Sequence, residues 1–528
     1  MPAGITEVDV LVIGGGVNGV GIAMDAAGRG LKVALCESHD LASATSSASS
    51  KLIHGGLRYL EQYEFCLVKK ALAERERLLN NAPHIMWPLR FRLPHQPHLR
   101  PGWMLRIGLF LYDNLAKRKR LAGSNAIRFN ADSPLVSSIS RGFEYSDGWV
   151  DDARLVVLCA MAAKQQGAEI KPRTRCIKAE RRGGIWQVTL QNTDNGALQT
   201  YHCRALVNAA GPWASSLFDE VIALPAPKQL RLVKGSHIIV PRIHDEPEAY
   251  ILQNSDQRIV FVTPYEQQFS LIGTTDVDYH GDPREVEISD AEIDYLCQVV
   301  NEHFKHQISA QDVVWRYSGV RPLLDDEQLA DEHTDHEKAD NAPAASTQPE
   351  KHQGQAQKAT RDYTFSLDAP IGEAPLLSVF GGKLTTYRLL AEAATDAISP
   401  FFKHIKGPWT GTAKLPGGHF SSQPSLIIEL ASQYPWLPSA TLARFARSYG
   451  TLCHHFLHGC SEFGALGTDF GGGLSQKEVD YLIKVEWAYT ADDILWRRSK
   501  LGLVLTTEQQ ERLQHYMQTK QHSIPATQ

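Results

Sequence analysis

Three cations and two histidines stand beside glycines in this chain, in a pattern that suits binding and oxidising a small anion. The first group is His54-Gly55-Gly56-Leu57-Arg58-Tyr59. Paired glycines let the backbone lie against a flat ring. Arg58 adds a fixed charge whose fork matches phosphate or carboxylate. Arg321 stands in Tyr317-Ser318-Gly319-Val320-Arg321-Pro322, and Lys383 follows Gly381-Gly382. His237 sits in an apolar stretch after Lys234-Gly235, where an imidazole is able to take a hydroxyl proton. Taken singly, each cation reads as a surface charge or a structural ion pair, and the lone histidine as a core residue. Their shared placement at glycine turns on strand ends, where α/β proteins bind ligands, makes them candidates together.

Such groups need a cofactor and a scaffold, and both are written near the start. The apolar strand Val8 to Ile13 runs into Gly14-Gly15-Gly16-Val17-Asn18-Gly19, a G-x-G-x-x-G pattern. A helix-like segment rich in Ala and Gly follows, then a second strand, Lys32 to Cys36, ending in Glu37. In such a unit the first glycine allows the tight turn, the second lets backbone approach a pyrophosphate, and the third lets helix pack on strand. The helix N-terminus offers N–H groups to the phosphates, and the acid meets a ribose hydroxyl. A run of small hydroxyl residues, Ser43 to Lys51, comes next. Its side chains allow close approach and donate to phosphate and ribitol oxygens. A nicotinamide dinucleotide does not require such a loop, whereas the longer FAD does.

The remaining elements follow from pattern. Helices are expected over Phe65 to Asn80, Asp152 to Gln166 and Leu384 to Ile398. Strand signals between about 225 and 325 suggest a largely antiparallel sheet. Residues 327–360 are poor in large apolar side chains and read as a disordered insertion with three solvated histidines, His333, His336 and His352. From about 400 the pattern is helical and reads as a separate domain. The net charge of -5 gives no reason to expect nucleic acid. Eight scattered cysteines without C-x-x-C argue against a disulfide framework. Cys453-His454-His455-Phe456-Leu457-His458-Gly459-Cys460 has metal-binding residue types, but its spacing fits no standard zinc site and it reads as a helix end. The first strand begins by Val8, so no signal peptide is expected, and no apolar run approaches the roughly 20 residues of a spanning helix. The segment Pro101 to Tyr112, with Trp103 inside it and Lys117-Arg118-Lys119-Arg120 after it, fits either a helix lying on an anionic bilayer or a buried helix with a basic tail.

Several long segments resemble the aerobic, membrane-associated, FAD-dependent glycerol-3-phosphate dehydrogenases of bacteria. They include VIGGGVNGVGIAMDAAGRGLKVALCE, ATSSASSKLIHGGLRYLE, RGFEYSDGWVDDARLV, LVKGSHIIVPR, YSGVRPL, SVFGGKLTTYR and EWAYTADDILWRRSKLGL. The likeness spans nearly the whole chain apart from roughly 327–360. It implies an α/β (α+β overall) fold: a glutathione-reductase-like FAD domain interleaved with an antiparallel-sheet substrate domain, plus a C-terminal helical domain. The expected division is 1–398 for the oxidoreductase region and 399–528 for the helical domain. Within the first, FAD segments fall at roughly 1–80, 146–225 and 361–398, and substrate segments at roughly 81–145 and 226–326.

Carried over residue by residue, the resemblance implies that Gly14, Gly16, Gly19, Glu37, Ser46, Ser49 and Ser50 hold FAD, with Ile13, Gly15, Asn18, Thr45, Leu52, Gly211 and Gly382 completing the set. Arg58, Tyr59, His237, Arg321 and Lys383 surround glycerol 3-phosphate, with His237 the first and His54 the second choice of base, and Arg321 stabilising developing negative charge. The implied partners are glycerol 3-phosphate, a membrane quinone and the inner face of the cytoplasmic membrane, reached through Trp103 to Arg120, with a homodimer as a candidate state. The alternatives are an oxidase that uses oxygen, a flavin oxidase of amino or hydroxy acids, and a non-catalytic flavoprotein sensor.

Overall fold

The second half of β1 (Thr6–Ile13) is buried on both faces, as its run of Val, Leu and Ile requires. Gly14 then turns the chain at φ +114°, a conformation that favours glycine. Helix α1 (Val17–Gly28) follows and leads to β2 (Val33–Cys36), parallel to β1. Gly19 serves close approach: a Cβ there would lie 1.9 Å from the Gly14 carbonyl oxygen. This computed structural model describes residues 5–324 and 363–523, without the side chains of Arg58, Glu61, Gln62, His522 and Ser523. The insertion 327–360 and its histidines lie outside the described residues.

Five more helices matter for the site: α2 (Phe65–Asn81), α3 (Gly102–Asn114), α4 (Asp152–Gln165), α5 (Asp290–His303) and α6 (Tyr387–Ile398). The first sheet runs in the order Thr364–Asp368, Leu376–Phe380, Leu198–Asn208, β1, β2, Glu169–Lys171. Its central pairings are parallel. Helices α1, α4 and α6 bury one face, and the hairpin Thr174–Arg182 with Ile185–Asn192 buries the other. The second sheet contains Leu230–Pro241, Phe269–Gly273, Ile259–Tyr265, Ala249–Gln253, Met86–Pro94, Arg141–Val150 and Leu52–Ile53 in that order. Trp315–Leu324 pairs along Leu230–Pro241. The pairings are antiparallel, except that Ala249–Gln253 runs parallel to Met86–Pro94. Helix α5 covers one face of this sheet, and α2 and α3 cover the other.

The C-terminal helices Gln423–Gln433, Ser439–Ser448, Gln476–Glu486 and Thr507–Ser523 pack directly on this body. Their apolar residues join α1, α4 and α6 in one continuous core. A buried ion pair crosses the same boundary: Arg154 on α4 binds both carboxylate oxygens of Glu486 and donates to the Ser448 carbonyl oxygen at 3.0 Å. A charge pair without exposed surface is tolerated only when its remaining polar atoms are met, and here the backbone meets them.

Because backbone atoms wall in Gly19, Gly19→Ala should lower unfolding stability by about 1–3 kcal/mol. Urea denaturation checks this, and an unchanged midpoint would contradict the close-packing argument.

Candidate active site

A cavity of about 940 Å³ is lined by residues of both sheets, near the upper end of the roughly 300–1,000 Å³ typical of small-molecule sites. It brings together residues more than 300 positions apart. Ile13, Gly14, Gly16, Asn18 and Glu37 reach it from the first βαβ unit, and Thr45, Ser46, Ser49, Ser50 and Leu52 from the hydroxyl loop. His54, Tyr59, Gly211, His237, Arg321, Gly382 and Lys383 complete the wall on the sequence-predicted side. Gly15 and Gly19 stand behind this wall. Gly15 donates its N–H to Glu37 Oε2 at 2.7 Å, and Gly19 packs on Gly14. Arg58 belongs to the turn Leu57–Gln62, and its side chain lies outside the description.

The end of the cavity near α1 fits an extended dinucleotide. The N-cap of α1 is Gly16, whose missing side chain leaves the helix terminus approachable. Gly211, Gly381 and Gly382 all take positive φ along the wall. Asn18 donates through Nδ2 to the Gly381 carbonyl oxygen at 3.1 Å, while its buried Oδ1 accepts no hydrogen bond among the described residues. An orphaned acceptor beside glycine-lined walls suits a ligand carrying hydroxyl groups. The hydroxyl loop, expected to donate to phosphate, is committed differently. Thr45 Oγ1 donates to the Val320 carbonyl oxygen at 2.7 Å and Ser49 Oγ to Asp152 at 2.7 Å, while Ser46 Oγ accepts from the Val17 N–H at 3.0 Å. These half-buried hydroxyls are paired within the protein. Thr45 and Ser49 thereby brace the loop against Val320 and Asp152.

At the other end, two antiparallel strands place His237 opposite Tyr317 and Val233 opposite Arg321. The rings of His237 and Tyr317 stack at 4.9 Å. Between these pairs, Gly235 faces Gly319, and both must be small. A Cβ on Gly235 would lie 2.9 Å from Arg321 Nη2, and one on Gly319 would lie 2.7 Å from Ala48 Cβ. The glycine gap thus admits the hydroxyl loop on one side and the guanidinium on the other. Arg321 donates to Asp276 Oδ1 at 2.8 Å and to the Thr275 carbonyl oxygen at 3.1 Å. Lys383 Nζ lies 4.2 Å from the centre of the Tyr59 ring. Behind the strand, Glu292 at the start of α5 accepts from Ser236, Thr275 and Lys234, which fixes the backbone on either side of Gly235.

His237 is 2% exposed, and its Nε2 lies 2.9 Å from Ser50 Oγ. Burial, aided by the positive charges of Lys51 and Arg321, pushes its pKa down to about 3. The imidazole is therefore neutral at ordinary pH, and its Nδ1 makes no hydrogen bond among the described residues. His54 lines the cavity from an exposed position.

Several wall residues carried no signal of their own in the sequence. Tyr317 donates its hydroxyl to the Ser49 carbonyl oxygen at 2.8 Å, tying the Arg321 strand to the hydroxyl loop. Lys51, at the end of that loop, pairs with Asp152 at 2.7 Å. From the C-terminal helical region come Trp496, Arg497 and Lys500. The segment Cys453–Cys460 lies away from the cavity and contains the short helix His454–Leu457.

A family model described as FAD dependent oxidoreductase matches residues 9–345, and one described as C-terminal domain of alpha-glycerophosphate oxidase matches 409–522. The chain is 55% identical to a glycerol-3-phosphate dehydrogenase of Pseudomonas aeruginosa, with 98% of this chain and 96% of that protein covered. It is 51% identical to the aerobic glycerol-3-phosphate dehydrogenase of Escherichia coli, with 96% and 97% covered. It is 46% identical to the D-erythritol 1-phosphate dehydrogenase of Brucella abortus, with 94% and 95% covered. Its fold is similar to the solved structure of a glycerol-3-phosphate dehydrogenase from Bacillus halodurans complexed with FAD, at a TM-score of 0.70 and 24% identity over 99% of this chain and 96% of that one.

Between about pH 6.5 and 3 the unfolded chain binds a proton at His237 that the native state does not, so stability should fall as pH drops through that window. His84, held at about 3, and His244, at about 4, act with the same sign. In His237→Gln the slope of stability against pH should flatten by on the order of 1 kcal/mol per pH unit. Urea melts at several pH values check this, and an unaltered slope would mean that His237 is protonated in the native state.

Proposed function

This chain belongs to the family of FAD-dependent oxidoreductases, and on that premise we infer that it is a glycerol-3-phosphate dehydrogenase, oxidising the secondary alcohol to dihydroxyacetone phosphate. The observation that carries this reading is the convergence of His237, Arg321 and Lys383 from distant strands and turns on one cavity, shared with the dinucleotide unit. Bound FAD supplies the two-electron acceptor. The residues that would hold it are Gly14, Gly16 and Asn18 at the turn into α1, Glu37 after β2, Ser46 and Ser50 in the loop, and the glycines at 211 and 382.

Arg321 and Lys383 suit the phosphate, with Arg58 as the third candidate. Asp276 and the Tyr59 ring restrict the two described cations, so less freedom is lost when an anion arrives. His237 is the first candidate for taking the hydroxyl proton and His54 the second. A neutral imidazole has the capacity, but one held near 3 is a weak base. A phosphate seated on Arg321 offsets one of the charges that depress it, so substrate binding itself raises the basicity of His237.

A second substrate is favoured by one relative. D-erythritol 1-phosphate is also a polyol phosphate with a secondary alcohol, and the D-erythritol 1-phosphate dehydrogenase is 46% identical to this chain. Anaerobic addition of glycerol 3-phosphate should bleach the flavin at a higher kcat/KM than addition of erythritol 1-phosphate. The reverse order would reassign the substrate, and no bleaching by either would leave a non-catalytic flavoprotein. Arg321→Ala should lower turnover roughly a hundredfold or more while FAD stays bound, and near-normal turnover would remove its assigned role.

We propose a membrane quinone as the electron acceptor and α3 as the docking element. Trp103, Ile107 and Phe110 fall on one face of α3 and are 64%, 52% and 64% exposed, while Leu109 and Tyr112 are buried on the other. The basic cluster Lys117 to Arg120 follows within one turn of the helix end. No described helix is long and apolar enough to cross a membrane, which suits docking in the interface. Trp103→Glu with Phe110→Glu should weaken co-sedimentation with anionic vesicles by roughly tenfold or more and leave turnover with a soluble dye intact. Undiminished vesicle binding would place docking elsewhere, and hydrogen peroxide formed in proportion to turnover would replace quinone by oxygen.

A further inference from the structure

Among the described residues, the C-terminal helical region lines the cavity through the segment from Asp492 to Leu503, and that segment grips an acid on either side of the hydroxyl loop. Before the loop, the buried Asp40 receives Arg498 on both carboxylate oxygens, at 2.6 and 2.8 Å, and pairs with Arg497 as well. At the start of α4, against which the far end of the loop packs, Lys500 Nζ lies 2.7 Å from Asp151 Oδ1. The adjacent Asp152 accepts from Lys51 Nζ at 2.7 Å, from Ser49 Oγ at 2.7 Å and from the Ser49 N–H at 3.2 Å. Between the two grips, the Trp496 ring stacks on Trp315 at 3.6 Å, and both rings line the cavity.

We propose that Asp492 to Leu503 is a cofactor-positioning element: Arg498 holds Asp40 just before the FAD loop, Lys500 holds Asp151 beside the Asp152 that binds the far end of the loop, and Trp496 closes the wall between them. The proposal rests on the reading of Ser43 to Lys51 as an FAD loop. Three observations favour positioning over mere attachment of the helical region. Attachment is already served by the shared apolar core and by the Arg154–Glu486 pair, away from the cavity wall. Buried ion pairs are poor sources of stability compared with apolar contacts, so their concentration around one loop calls for a geometric reason. Lys500 lines the cavity although burial pulls its pKa below the ordinary lysine value, so the ammonium is kept there against its preference for water.

The test uses the full chain stripped of FAD and titrated with FAD by flavin fluorescence, at a temperature well below the Tm of every variant. Lys500→Met should raise the Kd for FAD roughly tenfold or more. Lys500→Gln, which keeps a hydrogen bond to Asp151 without the charge, should fall between it and the wild type and serves if the Met variant does not fold. Arg444→Met is the comparison: it breaks the buried Arg444–Glu478 pair, which lines no part of the cavity, and should lower Tm without moving the Kd. An unchanged Kd in both Lys500 variants, or a Kd in Arg444→Met that rises as far as theirs, would overturn the proposal. Failure of the wild-type apoprotein to bind FAD would overturn the FAD reading itself, and the proposal with it.

Discussion

The carboxylate of Asp152 has no exposed surface, and the geometry of the active region follows from the need to satisfy it. Taking an ionised carboxylate out of water costs several kcal/mol unless its oxygens are fully engaged. At Asp152 they accept from the Lys51 ammonium, the Ser49 hydroxyl and N–H, and the Ala153 N–H at the start of α4. That demand draws the hydroxyl loop onto α4, and α4 is packed in the same core as β1 and α1. The chain then leaves the loop as Leu52–Ile53, an edge strand paired with Arg141–Val150 of the second sheet. One buried acid thus sets how the dinucleotide unit of the first sheet faces the substrate strands of the second.

The charges along the wall obey a common rule. Lys51, Lys500 and Arg498 are balanced by acids at close range and belong to the frame. Arg321 and Lys383 are steadied by Asp276 and by an aromatic ring, and both stand where an anion can approach. Lys383 leans on a ring quadrupole, which orients the ammonium without neutralising it. The neutral His237 fits between these groups because it is buried and because a third positive charge beside Lys51 and Arg321 would be disfavoured.

What could be read from the sequence was what local geometry imposes. Gly14 and Gly19 have roles set by contacts within a few residues of one another, so the turn into α1 was legible. The apolar runs of β1 and of the Leu230–Pro241 strand declared themselves by pattern. Arg321 and Lys383 were legible as candidates because glycines precede them. The pairing of Gly235 with Gly319 was not, since it depends on a register between strands some 80 residues apart. Nor were Trp496 and Lys500, which meet Trp315 and Asp151 only through the shared core. Nor were the protein partners of the hydroxyl loop, because Val320 and Asp152, which Thr45 and Ser49 meet, lie more than 100 residues away in the chain.

The proposed route of electrons to lipid makes sense of one more buried group. Tyr112 projects from the inner face of α3, accepts the Gly55 N–H at 2.8 Å and donates to Asp147 at 2.8 Å. Asp147 is in turn paired with Arg75 of α2. The helix whose outer face carries Trp103 and Phe110 is thereby bonded directly to the turn that bears His54. A soluble acceptor would have no need of that arrangement, because any opening of the cavity to water would serve it. The rigid Tyr112–Asp147–Arg75 contact keeps the exposed apolar face and the cavity wall in fixed relation, which a diffusing partner does not require and a partner confined to lipid does.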